Sequence, residues 1–289
     1  MRGAARAVSV ALALFVAAAA CSDGGSSGSK PVHGPADVAV PADPATAAAS
    51  LARVERAIRS PATRPEAIDR LGWEQQAAYR ALAAHRSWLD RVVRRLPADV
   101  RPIVSANAQA GREVKALGGE GTLPRDLPDW RIVSPLPPDV LRAYYGEAEA
   151  ASGVPWAYLA AIHLLETRLG RIEGTSSAGA QGPMQFIPAT WARYGQGDIN
   201  DNHDAILAAG RFLQANGGPG DMNGALLRYN NSSHYVAAVD SYAQLMLADE
   251  RAFLGYHGWQ VYATTTHGTF LLPEGYPGAA AHEVSGPGD

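Results

Sequence analysis

The chain has 289 residues, which allows one large domain or two modest ones, and its 47% hydrophobic and 18% charged residues are ordinary for a globular protein. Its formal net charge of -3 provides no basic field for nucleic acid, so we expect no nucleic-acid partner. A single cysteine, Cys21, excludes an intrachain disulfide and a cysteine-rich metal site.

Residues 1–20 have the layout of an export signal. Arg2 and Arg6 form a short basic region, and residues 7–20 form an apolar run that is too short for a comfortable membrane span. Small residues lead directly into Cys21, and this arrangement resembles a bacterial lipoprotein signal, in which the cysteine becomes the lipidated first residue. We therefore predict an exported lipoprotein, anchored to the outer face of the cytoplasmic membrane or another envelope membrane. The alternative is an ordinary secretory signal, which would leave a free thiol but would also export the protein.

Residues 21–50 are predicted to form a flexible tether from the lipid anchor. They are rich in serine, glycine, proline and alanine, with GGSSGS at residues 24–29. Such a composition cannot bury a core. We expect the folded part to begin near residue 51.

Residues 51–118 show helical periodicity. Apolar residues recur at alternating spacings of three and four over residues 68–96, where a proline ends the run, and again over residues 103–117. This pattern predicts two antiparallel helices, with residues 51–58 as a third, in a packing region without chemistry. His85 interrupts the first run, and we predict a partly buried position for it rather than a ligand role, because no second ligand type shares its face.

Residues 119–138 are rich in glycine and proline and are predicted to be a linker. A helix capped by Asp139 and ended by Gly153 then opens the segment 139–257. This segment carries the residues with recognisable chemistry.

The helix that begins near Pro155 has one carboxylate, Glu166, close to its end. The residues at positions 156, 159, 162, 163 and 166 fall on one helical face, which predicts that Glu166 lies on the buried side. A buried carboxylate loses hydration, which raises its pKa and suits a general acid near neutral pH. The alternative is a structural glutamate, although neither Arg168 nor Arg171 has the spacing of an intrahelical partner.

A loop with glycines at positions 170, 174, 179 and 182 follows, before Pro188 opens the next helix. Four glycines in so short a loop indicate a backbone that turns sharply or lies close to a ligand. The loop is not a phosphate loop, because it lacks the Gly-Lys-Ser/Thr ending and the preceding strand.

Three motifs occur in order along this segment. The first is Glu166-Thr167, the second is Gly182-Pro-Met-Gln185 preceded by Ser-Ala-Gly-Ala, and the third is Ala225-Leu-Leu-Arg-Tyr-Asn. Together they resemble the signatures of the lytic transglycosylases of the lysozyme-like superfamily, which cleave bacterial cell-wall peptidoglycan. The ETRLG and MQFIPATWARYG runs are also similar to the membrane-bound B-type branch. The resemblance covers about residues 139–250.

The chain departs from the family pattern at two places. Thr167 stands where the soluble type usually has serine, and the third motif has one extra residue before Tyr229. Both departures bear on how substrate is held.

The resemblance implies a mainly all-α, lysozyme-like catalytic domain with Glu166 as its one acid and base. Glu166 would protonate the glycosidic oxygen between N-acetylmuramic acid and N-acetylglucosamine, assisted by the muramyl N-acetyl group. It would then take the proton of the C6 hydroxyl, leaving a 1,6-anhydromuramyl end. The expected partner is a peptidoglycan glycan strand, with no cofactor and no metal.

The resemblance also implies a set of substrate-binding residues, namely Thr167, Met184, Gln185, Phe186, Tyr229 and Asn230. For Met184 and Phe186, core packing is the competing interpretation. Tyr229 would hydrogen-bond Glu166 or stack on sugar, or else be a buried aromatic residue at a helix end.

Ordinary glycosidases need a second carboxylate across the bond. Glu173 is predicted to be a solvated loop charge, and the resemblance does not mark the aspartates of residues 198–204 as nucleophiles. Those aspartates have the alternation of a calcium loop, but His203 replaces the required glycine and Ala209 the final glutamate. We favour a turn in which an Asp or Asn of this stretch caps the next helix.

The C-terminal part is predicted to contain a long helix from about Ser232 to Leu254 and then a small β-hairpin. Residues 258–289 would thus form the hairpin and a disordered tail from residue 273. We expect an exported lytic transglycosylase. The rivals are a hydrolytic muramidase that uses water and a peptidoglycan-binding lipoprotein without turnover.

Overall fold

The computed structural model describes residues 34–118 and 122–285. The predicted signal peptide, Cys21 and the first part of the tether lie outside the described residues, as do residues 119–121 and 286–289. Eleven α-helices and two small antiparallel sheets make up the described part, which confirms the mainly all-α class and the short C-terminal hairpin. No helix within these ranges is both long and apolar enough to cross a membrane.

The tether prediction is wrong at its C-terminal end, because a helix begins there. Helix α1 spans Pro44–Arg59, and Asp43 caps it by accepting hydrogen bonds from the backbone N–H groups of Ala45 and Thr46 at 2.7 and 3.0 Å. Ala47 and Ala48 are buried. The alanines that suggested a tether therefore form a packed helix, since alanine has the highest helix propensity.

Three further helices complete the N-terminal region: α2 (Pro65–Ala84), α3 (Leu89–Val93) and α4 (Arg101–Leu117). The single helix predicted over residues 68–96 is wrong, because the chain leaves helical geometry at His85, where φ is -109° and ψ is 83°. The imidazole of His85 stacks on Trp88 with ring centroids 4.1 Å apart. His85 is half-buried, as predicted.

The remaining helices are α5 (Pro138–Ser152), α6 (Trp156–Thr167), α7 (Pro188–Tyr194), α8 (Asn202–Ala215), α9 (Met222–Tyr229), α10 (Ser233–Ala248) and α11 (Arg251–His257). The helix predicted to run to Leu254 is wrong in its length, because the backbone becomes extended at Asp249. The Asp249 carboxylate accepts a hydrogen bond from the Arg251 N–H at 2.9 Å, a local interaction that competes with helix continuation.

One hydrophobic core joins the N-terminal helices to the segment 139–257, with Leu51, Leu82 and Val104 in the same cluster as Leu159 and Val239. Polar contacts also cross between the N-terminal helices and the C-terminal part of the chain. The buried Gln75 donates to Glu55 at 3.1 Å and accepts from the Trp259 indole N–H at 2.8 Å, and Tyr256 donates to Asn107 at 2.7 Å. The N-terminal helices are thus part of the body that holds the candidate site.

The two sheets occupy parts of the predicted linker and tail, so those two predictions are wrong in part. Strand β1 (Arg131–Ile132) pairs with β2 (Ile172–Glu173), and β3 (Val261–Thr265), β4 (Gly268–Leu272) and β5 (His282–Ser285) form the other sheet. The physical reason is burial, because Ile132 packs with Ile172, Val261 and Leu272 in a small apolar cluster.

Helices α2 and α11 lie close together at Gly72 and Gly255, which gives a stability prediction. A Cβ at Gly72 would lie 2.6 Å from the Gly255 carbonyl oxygen, whereas a Cβ at Gly111 in α4 meets nothing within 4 Å. We expect Gly72→Ala to lower the free energy of unfolding by about 2 kcal/mol through overpacking. Gly111→Ala, the matched control, should raise it by about 0.5–1 kcal/mol through helix propensity. Denaturant unfolding of both variants checks this, and equal effects would contradict it.

Candidate active site

Helix α6 is buried on every side, and Glu166 is its one residue that is not fully buried. The prediction of a single buried face is therefore wrong, because the helix is apolar all round and lies inside the core. The face with Leu159 and Ile162 packs internally. The Nδ1 atom of His163 is hydrogen-bonded there to the Tyr145 hydroxyl at 2.8 Å, whereas its buried Nε2 atom has no hydrogen-bond partner among the described residues. Glu166 instead marks the point where α6 reaches the edge of the core.

The Glu166 carboxylate has one described hydrogen-bond donor, the Tyr235 hydroxyl from α10, at 2.7 Å from Oε1. Burial raises the pKa of Glu166 from 4.5 to about 7, and the hydrogen bond from Tyr235 lowers it. No charged side chain of the described residues is among the causes of this pKa shift. Glu166 can therefore carry a proton at neutral pH and also release it there.

Thr167 is almost completely buried, with 1% of its surface exposed. Its hydroxyl donates to the Pro183 carbonyl oxygen at 2.6 Å and accepts from the Gly170 N–H at 3.1 Å. The predicted contact residue therefore ties the end of α6 to the glycine-rich loop. Either serine or threonine could make both bonds, so the departure from the family pattern keeps this chemistry.

The second motif forms a tight turn. Phe186 and Gln181 exchange two backbone hydrogen bonds of 2.9 Å, and a Cβ at Gly182, where φ is 72°, would lie 1.8 Å from the Ile199 carbonyl oxygen. Gln185 also has a positive φ of 49°, a conformation that costs free energy for a residue with a side chain. Its side-chain amide donates to the Gly182 carbonyl oxygen at 2.9 Å and stays half-buried. The predicted sharp turn is confirmed.

Met184 and Phe186 point into the protein, with 0% and 3% of their surfaces exposed. They belong to the main core, as the competing interpretation expected. Tyr229, at the end of α9, donates its hydroxyl to the Met184 carbonyl oxygen at 2.7 Å rather than to Glu166. Tyr229 also lies parallel to Tyr235, with ring centroids 6.3 Å apart. These residues therefore pack beneath the turn of residues 182–185 and against Tyr235.

Asn230 follows α9 and is buried, with 7% of its surface exposed. Its side-chain oxygen has no hydrogen-bond partner among the described residues. A buried amide oxygen without a partner costs free energy unless water or a ligand completes it.

Sequence reasoning missed Tyr235, which makes the closest described contact to the Glu166 carboxylate. The signal was present, because Tyr235, Val239, Tyr242 and Met246 recur at helical spacing and are all buried in α10. A hydroxyl on that buried stripe requires a partner. The sequence could not indicate that the partner lies on α6.

The other acidic residues occupy different positions. Glu173 is exposed on β2 and forms an ion pair with Arg131 on β1, with 2.5 Å between nitrogen and oxygen. The cap prediction is confirmed by Asp201, whose carboxylate accepts from the Asp204 N–H at 3.0 Å at the start of α8.

The same loop, residues 198–204, contains the aspartates whose alternation resembles that of a calcium loop. Possible ligand atoms of Asp201, His203 and Asp204 lie within 4.8 Å of one another. They already have partners: His203 contacts the Glu147 carboxylate at 2.9 Å, and Asp204 accepts from the Asp198 N–H at 2.8 Å. The loop is thus held by its own hydrogen bonds.

Comparison with known proteins gives a partial match. Membrane-bound lytic murein transglycosylase F of Thiobacillus denitrificans is 32% identical over 136 residues, which cover 45% of this chain and 26% of the relative. The chain thus spans about a quarter of the length of that relative. No family model and no solved structure matches the chain. The similarity supports the resemblance to lytic transglycosylases without fixing a subfamily.

The contact between Tyr235 and Glu166 gives a prediction about the carboxylate. Tyr235→Phe removes a hydrogen bond that favours the ionised form, so we expect the pKa of Glu166 to rise above about 7. Tyr229→Phe is the matched control, because that hydroxyl bonds the Met184 carbonyl. Carbon-detected NMR titration of the glutamate side chains measures both, and equal pKa values in the two variants would refute the assignment.

The raised pKa also makes stability depend on pH. Below pH 4.5 the carboxyl is protonated in both folded and unfolded chains, and between pH 4.5 and about 7 the unfolded chain releases its proton first. The folded state therefore loses stability across this window, by up to about 3 kcal/mol, and remains less stable above it. Glu166→Gln removes the loss, so this variant should gain stability over the wild type from pH 4.5 to 8. Unfolding at several pH values tests this. Glu173→Gln is the control, and its free energy of unfolding should depend on pH as that of the wild type does. The prediction is contradicted if the free energy of unfolding of Glu166→Gln changes with pH in parallel with that of the wild type.

Proposed function

We propose that this protein is a lytic transglycosylase that cleaves the β-1,4 bond between N-acetylmuramic acid and N-acetylglucosamine in peptidoglycan for cell-wall remodelling. The observation that carries the proposal is the half-buried Glu166 carboxylate, held by Tyr235, with a pKa of about 7. The similarity to a lytic murein transglycosylase supports the substrate class.

One carboxylate near neutral pKa suits a reaction in which the same group donates and then accepts a proton. Protonated Glu166 gives its proton to the glycosidic oxygen as the bond to the anomeric carbon breaks. The muramyl N-acetyl oxygen stabilises that carbon. Ionised Glu166 then removes the C6 hydroxyl proton as the C6 oxygen bonds to the anomeric carbon, so Glu166 ends protonated as it began.

The Tyr235 hydroxyl suits both halves of this cycle. It stabilises the ionised carboxylate after the first step, because a hydrogen bond to the charged form lowers its pKa. Burial acts in the opposite direction and favours the protonated form for the first step. The balance between these two effects keeps the pKa near 7, where both proton transfers are accessible.

Among the predicted binding residues, we assign direct sugar contacts to Gln185 and Asn230. The half-buried amide of Gln185 and the unpartnered oxygen of Asn230 within the described part can each complete a hydrogen bond to substrate. Thr167, Met184, Phe186 and Tyr229 would act by fixing the turn and the aromatic packing behind it.

We also propose that the protein acts in the cell envelope as a lipoprotein attached through Cys21. The order of basic residues, apolar run and cysteine at the N-terminus supports this. The relative is named as membrane-bound, which agrees with an envelope location.

A hydrolytic muramidase of the ordinary two-carboxylate type would use a second carboxylate and water. Glu173 is exposed and paired with Arg131, a position suited to a surface ion pair. A peptidoglycan-binding lipoprotein without turnover would not need a glutamate whose pKa is raised to about 7.

Digestion of purified peptidoglycan by the full chain, followed by mass spectrometry of the fragments, tests the proposal. We expect 1,6-anhydromuramyl ends, which are lighter than reducing ends by one water. Glu166→Gln should lower the cleavage rate by about 10²–10⁴-fold, because it removes the acid and base, while peptidoglycan binding is retained. Glu173→Gln is the matched control and should cleave like the wild type. Reducing ends alone would establish hydrolysis, and unchanged cleavage by Glu166→Gln would refute its role.

A further inference from the structure

A cavity of about 540 Å³ lies where α2 and α4 face the ends of α6 and α10 and the sheet strand β3. Glu166 is not among its lining residues, although its neighbours Leu165 and Arg168 are. The cavity has the size of a small-molecule binding site. It is distinct from the turn of residues 182–185 that neighbours the candidate active site.

The charge of this cavity is unusual for the chain. Five of the lining side chains are Lys or Arg, and none of the lining residues in the described part is Asp or Glu. The five are Arg80, Arg86, Arg112, Lys115 and Arg168. The whole chain has a net charge of -3, so these cations are concentrated at one place. Such a concentration attracts an anion.

Arg168 is the deepest of these cations, with 7% of its surface exposed. Its Nε atom and that of Arg80 are buried and have no hydrogen-bond partner within the part of the chain that the structure describes. Burial lowers the pKa of Arg168 to about 10, which still leaves it charged at neutral pH. A buried cation without an anionic partner is costly, and a bound anion would offset that cost.

Aromatic rings hold these guanidinium groups in place. The Arg80 guanidinium lies 3.8 Å from the centre of the Tyr262 ring, and that of Arg168 lies 5.7 Å from the Trp259 ring. Arg80 is also hydrogen-bonded to Tyr262, so the N–H groups that remain without an acceptor among the described residues are the Nε–H groups of Arg80 and Arg168. Guanidinium groups match the planar, two-oxygen geometry of a carboxylate.

The rest of the wall is largely apolar, and it includes Leu82, Leu89, Val114 and Leu165. An inorganic anion would leave these side chains unused. We propose that the cavity binds a small organic carboxylate with an apolar body, the charged group near Arg168 and Arg80 and the body against Leu82 of α2 and Leu89 of α3. Two sources supply this chemistry: a free fatty carboxylate, or a peptidoglycan stem peptide, the latter resting on the proposed function.

Isothermal titration of the full chain with matched probes tests the binding. The probes are decanoate against neutral decanol, and a stem tripeptide with free carboxylates against the same peptide with its carboxylates amidated. We expect one site per chain and affinity at least tenfold higher for a carboxylate than for its neutral counterpart. Whichever carboxylate saturates the site identifies the source. No probe contains a glycosidic bond, so failure to bind leaves the cleavage result untouched.

The cavity variant is Arg112→Gln combined with Lys115→Gln, and the matched control is Arg64→Gln on an exposed residue that does not line the cavity. We expect the double variant to bind the carboxylate about tenfold more weakly and to keep wild-type unfolding, because Arg112 is exposed, Lys115 is half-buried, and neither belongs to the hydrophobic core. Arg168→Gln should abolish the preference for charge, and its fold is checked by circular dichroism. The proposal is overturned if neither carboxylate binds saturably, if the neutral probes bind equally well, or if the double variant retains wild-type affinity.

Discussion

The burial of α6 is the constraint on which the rest of the structure depends. A helix that is apolar on all sides must be enclosed on all sides, and here α5, α8, α10 and the N-terminal helices contribute to the core that encloses it. The only polar group that α6 brings to the edge of this core near its end, and leaves half-buried, is the Glu166 carboxylate. Its raised pKa is a direct consequence of that enclosure.

Enclosure also explains why the N-terminal helices belong with the segment 139–257. Helix α1 supplies the buried Glu55, whose carboxylate is met by Gln75, Tyr79 and Arg59. Gln75 then reaches Trp259 beyond α11. A buried carboxylate needs all of these partners, so the contacts specify how α1, α2 and the C-terminal part dock. The N-terminal helices thereby help to fix the body around α6.

Much of the fold could be predicted from the sequence, but the long-range pairings could not. Periodicity located α4, α5, α6 and the C-terminal hairpin, and proline and glycine marked the turn at residues 182–185. Alanine-rich residues 44–50 were misassigned because tethers and helices share that composition, and tertiary burial decided between them. The pairing of Ile132 with Ile172 was missed because two-residue strands have no periodicity. The same limit applied to the site: motifs identified Glu166, whereas the bond from Tyr235 depends on how α10 crosses α6.

The chain reverses its direction at the end of α6, between the candidate active site and the cationic cavity. Arg168, Leu169 and Gly170 all have positive φ, so the chain reverses immediately after Thr167. This reversal is strained at the two residues with side chains, and the bonds from Thr167 to Pro183 and Gly170 hold it. Arg168 lines the cationic cavity, whereas Glu166, two residues earlier and thus on another side of the helix, accepts a hydrogen bond from Tyr235. The reversal brings Gly170 back against Thr167 and thus joins the glycine-rich loop to the end of the helix that carries Glu166.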